Sequence, residues 1–335
     1  MFKAKKFVYS KRFEGLPKLT DFELVEEELP ELQDGEILTE ALYLSVDPHM
    51  RTYMARFPLG VTMLGDQVAR VLESKNPAFP KDSIICGTLG WRTHSVFNPR
   101  DITDWLPPYI VPSLGDLPLS LAVGQLGMPG NTAYFGFIDI CQPKKGEIVV
   151  VSGAAGAVGS LVGQIAKILE CKVIGIAGSA DKCEWLTKEI GFDHAINYKT
   201  ESIADELKKF APDGADCYFD NVGGETSSIV LRHVRLFGRV SVCGSVSSYN
   251  LPMDEWPKVP TYQHILITSQ ISMQGFLFTR FLPKWFEGIA QMKLWMEQGK
   301  LKYRQTITEG FENMPQALID MLEGKNTGKA VVKNC

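Results

Sequence analysis

The sequence predicts an α/β protein in which a doubly wound parallel sheet is inserted between two pieces of a β-rich domain. Three observations predict it. From Gly146 onward, apolar runs of strand length alternate with helical periodicity; the first run meets a glycine turn at once; and residues before Gly124 have a different texture. In that first stretch, residues 36–45 and 83–86 are short alternating or apolar runs set between Pro and Gly, as in a barrel-like β unit. Residues 147–152 have a continuously apolar centre, 148–151, which suits a strand buried on both faces. After the turn 153–159, Leu161, Val162, Ile165, Ala166, Ile168 and Leu169 fall on one helical stripe ending near Glu170. Further strands are expected at 172–177, 194–198, 215–220, 238–244 and 271–278, making six. The tail reads as a strand at 303–308, a helix at 312–323 and a strand at 329–333. It is assigned to the β-rich domain, which then comprises 1–124 and 301–335 around a nucleotide domain of 125–300.

Composition narrows the function. With 335 residues, about three quarters of the unfolded surface can be buried. Lys plus Arg total 35 against 39 for Asp plus Glu, and no basic block exists beyond Lys3, Lys5 and Lys6, which removes the main driving force for nucleic-acid binding. Seven cysteines at 86, 141, 171, 183, 217, 243 and 335 form no C-x-x-C pair, so neither a zinc lobe nor a disulfide framework is signalled. No run approaches 18 apolar residues, and no signal-peptide stretch follows the basic start. Reduced thiols in the cytoplasm are the expectation.

A pyrophosphate needs backbone N–H groups at a helix N-terminus and no side chain in its way, which Gly156 and Gly159 provide. A tight strand–helix packing turn is the alternative. Nineteen residues beyond Gly159, where an NAD enzyme usually carries Asp or Glu for the ribose hydroxyls, stand Gly178 and Ser179, with Lys182 in the next turn. That favours NADPH over NADH, because a cation there can pair with a 2′-phosphate. Lys182 read as an ordinary solvated residue is the other possibility. Tyr198 at the end of the third strand either meets the adenosine or packs at the rim. DNVGG at 220–224 and CGSVSSY at 243–249 follow the fourth and fifth strands, where ligands bind in such sheets; otherwise they simply end the strands.

The motifs ALYLSVDPHMR (41–51), GMPGNTAY (127–134), SGAAGAVG (152–159), DNVGG (220–224), GFENMP (310–315) and NTGKAVV (326–332) together resemble the zinc-independent leukotriene B4 12-hydroxydehydrogenase/prostaglandin reductase family of medium-chain dehydrogenases/reductases. The resemblance runs from near residue 20 to the end. It implies a Rossmann-type NADP-binding domain inserted into a GroES-like catalytic domain, and NADPH-dependent reduction of the double bond of α,β-unsaturated ketones and aldehydes, including 15-oxo-prostaglandins and 2-alkenals. NADP+-dependent oxidation of the leukotriene hydroxyl and a homodimer are further implications. Cofactor contacts are implied at Gly156, Ala157, Val158, Gly159, Lys182, Tyr198, Asn221, Cys243, Gly244, Ser245, Val246, Ser247, Ser248, Tyr249, Phe276, Leu277, Phe278 and Asn326. Two positions depart from the pattern. The family's Tyr eight residues before its strand Phe is Thr268 here, with Tyr262 six residues earlier, and His49 replaces a pocket Tyr.

Without a Cys before Cys86, and with His49 and His94 lacking a ligand cluster, the chemistry is read as metal-free. An enolate oxygen then needs hydrogen-bond donors, each worth on the order of 3 kcal/mol of barrier. Tyr249, Tyr262 and Thr268 are the protein candidates, in that order, and the cofactor's ribose hydroxyl is another in this family. His49 is a donor to a substrate carbonyl or carboxylate, or a structural residue. Arg51 pairs with a substrate carboxylate or makes a structural salt bridge. Met50, Met54, Met63 and Met128 are read as an adaptable pocket lining, and Cys86 and Cys243 as inert thiols. A quinone oxidoreductase and a non-catalytic NADPH-binding protein are the competing readings.

Overall fold

The computed structural model describes residues 2–103 and 105–334; Cys335 lies outside the described residues. The chain divides into two compact units, one ending at Gly124 and resuming at Gln305, the other spanning Gln125–Arg304. The return comes at 305 rather than 301 because the residues between are tied to the nucleotide unit. The Lys302 backbone donates to Gln164 Oε1 at 2.7 Å and accepts from its Nε2 at 3.0 Å, and the Arg304 guanidinium lies over the Trp185 ring.

In the split unit, the long strand Ile37–Val46 is the centre of a seven-stranded sheet. It pairs antiparallel with Asp66–Ser74, His94–Phe97 and the closing strand Lys329–Lys333. Register shifts at Leu38/Thr39 and Ala41/Tyr43 let it coil. Only Gln305–Glu309 runs parallel to its neighbour, Lys329–Lys333, and the helix Met314–Leu322 makes the crossover that a parallel pair requires. A hairpin of Lys3–Tyr9 and Phe22–Glu28 lies apart from this sheet. The core gathers Phe7, Tyr9, Phe22, Trp91 and Phe311, with Phe22 stacked on Trp91 at 5.6 Å. Met50, Met54 and Met63 belong to this core, each at most 1% exposed. They are packing residues and not a pocket lining, because their long flexible side chains fill gaps among the aromatic rings.

The nucleotide unit has six parallel strands: β1 (Ile148–Ser152), β2 (Lys172–Ala177), β3 (His194–Asn197), β4 (Ala215–Asp220), β5 (Val234–Val242) and β6 (Ser272–Gly275). Their order in space is 3-2-1-4-5-6, which places the topological switch point between β1 and β4. The helix α1 (Ala157–Ile168) follows β1 directly and presses its buried stripe on the sheet. Its approach is close: a Cβ on Gly159 would stand 2.4 Å from the Gly153 carbonyl oxygen, and one on Gly163 would enter the Phe192 ring.

Candidate active site

The glycine turn after β1 is built as a phosphate cradle. Gly156 is the N-cap of α1, so the N–H groups of Ala157, Val158 and Gly159 open the helix, where backbone donors lack an acceptor within it. Gly153 takes φ +58°, and its bare Cα faces Asn221.

At the adenosine end, the place of the usual carboxylate is Gly178, beside the half-exposed Tyr198. A Cβ on Gly178 would lie 2.9 Å from the Tyr198 ring, so neither Asp nor Glu fits there while Tyr198 stays in place. Ser179 caps the next helix by accepting from the Lys182 N–H, which brings the half-buried Lys182 to the same end of the sheet. Burial, and after it the charge of Lys199, lowers the pKa of the Lys182 ammonium. An anion would relieve that repulsion.

Asn221 follows β4, with its side-chain amide donating to the Ser152 carbonyl at 2.7 Å. The turn after β5 is fastened to it: Cys243 N–H and Gly244 N–H donate to the Asp220 carbonyl, Val246 N–H to that of Asn221, and Ser247 N–H to that of Val222. Tyr249 folds back over this turn, its hydroxyl accepting from the Ser245 N–H at 3.3 Å and bordering Gly244. Ser248 Oγ donates to the Ser245 carbonyl at 2.9 Å, which tightens the same turn. Burial pushes the Cys243 thiol up to about 12, in keeping with an inert group. Cys86 is likewise pushed up by burial, with Asp66 adding to it.

Tyr262 lines a pocket of about 170 Å³ with Asp220, Gly224, Gly244, Ser245 and Met273, so it stands at the carboxyl ends of β4 and β5. Thr268 ends the helix Gln263–Thr268 and donates its hydroxyl proton to the His264 carbonyl at 2.9 Å. Of the three residues after β6, Phe276 packs its ring on Gly136, Leu277 is exposed, and Phe278 is buried against Trp285. The nucleotide unit thus brings together the glycine turn, Lys182 with Tyr198, and Asn221 with residues 243–249 and Tyr262. Asn326, His49 and Arg51 belong to the other unit.

In that unit, His49 opens the helix His49–Tyr53 and lies in an aromatic cluster, 5.8 Å from the Tyr53 ring and 5.6 Å from Trp105. Burial lowers its pKa, Asp47 opposes the shift and Lys329 adds to it. Its neutral form holds one N–H to give. Arg51 has a different role from the one expected. It is buried, donates from Nε and Nη2 to the Gly15 carbonyl and from Nη2 to that of Phe13, and lies over the Phe13 ring. Its Nε and Nη2 are given to backbone carbonyls of this loop, and among the described residues it makes no salt bridge. Asn326 donates to the Gly328 carbonyl at 2.8 Å and shapes the turn into the closing strand.

Sequence reasoning missed the polar groups beneath the turns, Ser152, Tyr218 and Asp220, and the buried pair Asp47 and Lys329. A signal was present: a polar residue ends each doubly buried apolar strand, β1 and β4. Among the described residues, no three His, Cys, Asp or Glu side chains form a group able to hold a metal ion.

Comparison with known proteins agrees with this geometry. Residues 5–104 match a family model described as the N-terminal domain of oxidoreductase, and 157–293 one described as zinc-binding dehydrogenase. Prostaglandin reductase 1 of Bos taurus is 49% identical, covering 99% of this chain and 100% of its own. The chain belongs to the zinc-independent prostaglandin reductase family of medium-chain dehydrogenases/reductases. A second member of this wider group, the NADP(+)-dependent 2-alkenal reductase of Nicotiana tabacum, is 40% identical over 95% of this chain and 94% of its own. The crystal structure of CurA from Vibrio vulnificus in complex with NADPH superposes with a TM-score of 0.90 at 36% identity, covering 99% of both chains. The resemblance read from the motifs is thus the family the whole chain matches.

Proposed function

We propose that this prostaglandin reductase family member reduces the carbon–carbon double bond of α,β-unsaturated ketones and aldehydes with NADPH. The observation that carries the reading is the adenosine end of the crevice, where Gly178 replaces the usual carboxylate next to Tyr198 and the helix capped by Ser179 carries Lys182. It supports NADPH in a chain whose relatives are named prostaglandin reductase and 2-alkenal reductase.

The residues present fit the cofactor, since Gly156 caps α1 without a side chain and leaves the first N–H groups of the helix open to an anion. The N–H groups of Ala157, Val158 and Gly159 would hold the pyrophosphate, Lys182 the 2′-phosphate, and Tyr198 would flank the adenosine. Asn221, residues 243–249 and the backbone of Phe276, Leu277 and Phe278 would hold the nicotinamide side, with Asn326 a further contact. Bound NADPH supplies a hydride to the β-carbon of the enone. The chain's own task is then to hold the enolate oxygen with donors and return a proton to the α-carbon. Tyr249 and Tyr262 are the donors favoured here; Thr268 follows them, because its proton already goes to the His264 carbonyl. His49 is assigned to the substrate side, with its neutral imidazole donating one N–H to the carbonyl.

Lipid-like enones and alkenals are the substrates this reading favours. A homodimer is supported by β6, an edge strand of its sheet, and by the exposed Phe237 and Ile267. No helix among the described residues is long and apolar enough to cross a membrane. Free thiols at Cys86, Cys141, Cys171, Cys183, Cys217 and Cys243 suit a reducing cytoplasm.

The test is steady-state NADPH oxidation with a 15-oxo-prostaglandin, a 2-alkenal and a quinone in parallel, repeated with NADH and after chelator treatment. Turnover of the enones with NADPH, weaker with NADH and insensitive to chelator, is expected. Turnover of the quinone alone, or NADPH binding with no turnover of any of them, overturns the reading.

A further inference from the structure

We infer that Asp220 is a positioning residue for the nicotinamide half of the cofactor, acting through Ser152, Tyr218 and the two turns that meet at its backbone. The inference rests on the NADPH reading above and deepens it.

Ser152 is the last residue of β1 and Asp220 the last of β4, the two strands that flank the switch point. Both are buried, at 0% and 2% exposure. A buried carboxylate has to be compensated, and among the described residues no Lys or Arg forms an ion pair with Asp220. Neutral donors do the work instead. Asp220 Oδ1 accepts from Tyr218 Oη at 2.8 Å and from Ser152 Oγ, Val222 N–H and Gly223 N–H at 3.0 Å each. Burial and the neighbouring carboxylate push the Tyr218 phenol well above its ordinary pKa, so it stays a donor.

The consequence reaches three turns. Holding Val222 and Gly223 N–H inward fixes the direction in which the chain leaves β4, just before Gly223 and Gly224 adopt φ +70° and +56°. Ser152 Oγ accepts from Asn221 N–H at 3.0 Å, so the same network sets the residue that faces Gly153 of the phosphate turn. The Asp220 carbonyl accepts from Cys243 and Gly244 N–H, which sets the start of the third turn. None of these bonds reaches Gly178, Lys182 or Tyr198. The network therefore governs the nicotinamide half and leaves the adenosine half alone.

Asp220→Asn, Ser152→Ala and Tyr218→Phe are compared with the unsubstituted protein by titration with NADPH, followed through its fluorescence, with 2′,5′-ADP, which carries only the adenosine end, and by thermal unfolding. NADPH affinity is expected to fall about tenfold in Asp220→Asn and about threefold in Tyr218→Phe, with 2′,5′-ADP affinity unchanged. The emission of bound NADPH should also shift toward that of the free molecule. Unchanged NADPH affinity in all three variants overturns the inference, and so does equal weakening of NADPH and 2′,5′-ADP, the mark of a generally loosened fold. If Asp220→Asn does not fold, the same comparison is read on Tyr218→Phe and Ser152→Ala, which keep the carboxylate. Failure of the unsubstituted protein to bind NADPH overturns the functional reading itself, a result distinct from either of these.

Discussion

The two units bury a carboxylate in opposite ways. Asp220 of the nucleotide unit is compensated by hydroxyl and backbone N–H groups, with no cation. Asp47 of the split unit is compensated by Lys329, itself 1% exposed, whose ammonium stands 3.1 Å from the carboxylate and also donates to the Val46 and Ala330 carbonyls. Ser45 Oγ donates to Asp47 as well. Burial lowers the Lys329 pKa and Asp47 opposes the shift. The difference teaches where each solution is useful. Backbone donors fix the course of a turn, whereas a charge pair locks whole elements together, here the strand ends and the helix start at His49.

Breaking the ion pair should have the largest effect. Lys329→Met leaves Asp47 buried without its cation, and unfolding in denaturant should show a loss of about 3–5 kcal/mol. Lys329→Met with Asp47→Leu should recover much of that, because no charge is then left unpaired; a double variant as unstable as the single one contradicts the pairing argument. Next comes the backbone solution. Gly159→Ala drives a Cβ into the Gly153 carbonyl, and calorimetry should find a loss of about 2–3 kcal/mol together with weakened NADPH binding.

Asp66 sharpens the contrast, because burial pushes its carboxyl from 3.8 up to about 6 while Thr88 Oγ1 and, at longer range, Lys329 act against the rise. A carboxyl raised in the fold contributes stability that is fully present below its unfolded pKa and is lost as pH rises through about 6. Asp66→Asn should therefore be more stable than the unsubstituted protein at pH 8, on the order of 2 kcal/mol, and the gap should close toward pH 4. Equal gaps at both pH values would show that hydrogen bonding, not charge, sets the effect. The smallest change is at the surface of the nucleotide unit. Lys182→Ala should lower kcat/KM for NADPH about tenfold and leave the NADH value nearly unchanged, since NADH brings no 2′-phosphate for the ammonium to meet.

Legibility follows the same division. Gly156, Gly159 and Gly178 were readable because the turn, its close helix packing and the place of the usual carboxylate each fall at a fixed offset from a strand, which is a local property of the sequence. The six strands were likewise readable from continuous apolar runs, with end shifts of a few residues, as at 238–244 against Val234–Val242. Arg51 was not readable: only the fold brings the Phe13 and Gly15 carbonyls to its guanidinium, 36 to 38 residues away. Met50, Met54 and Met63 suit a pocket as well as a core by composition, and the ring cluster around Trp91 decides for the core.

The sequence by itself determined the two-part organisation, the parallel sheet, the family and the preference for NADPH. The family rests on motifs that resemble it, and the rest on periodicity or on a residue type at a set distance along the chain; all survive without knowledge of partners. Tertiary structure decided which buried polar groups satisfy one another: Asp220 with Ser152 and Tyr218, Asp47 with Lys329, Arg51 with two loop carbonyls. The physical reason is that a buried charge or hydroxyl takes whatever partner the fold brings within about 3 Å; Tyr218 is near Asp220 in the chain, but Ser152 is 68 residues from it and Lys329 reaches Asp47 from the closing strand.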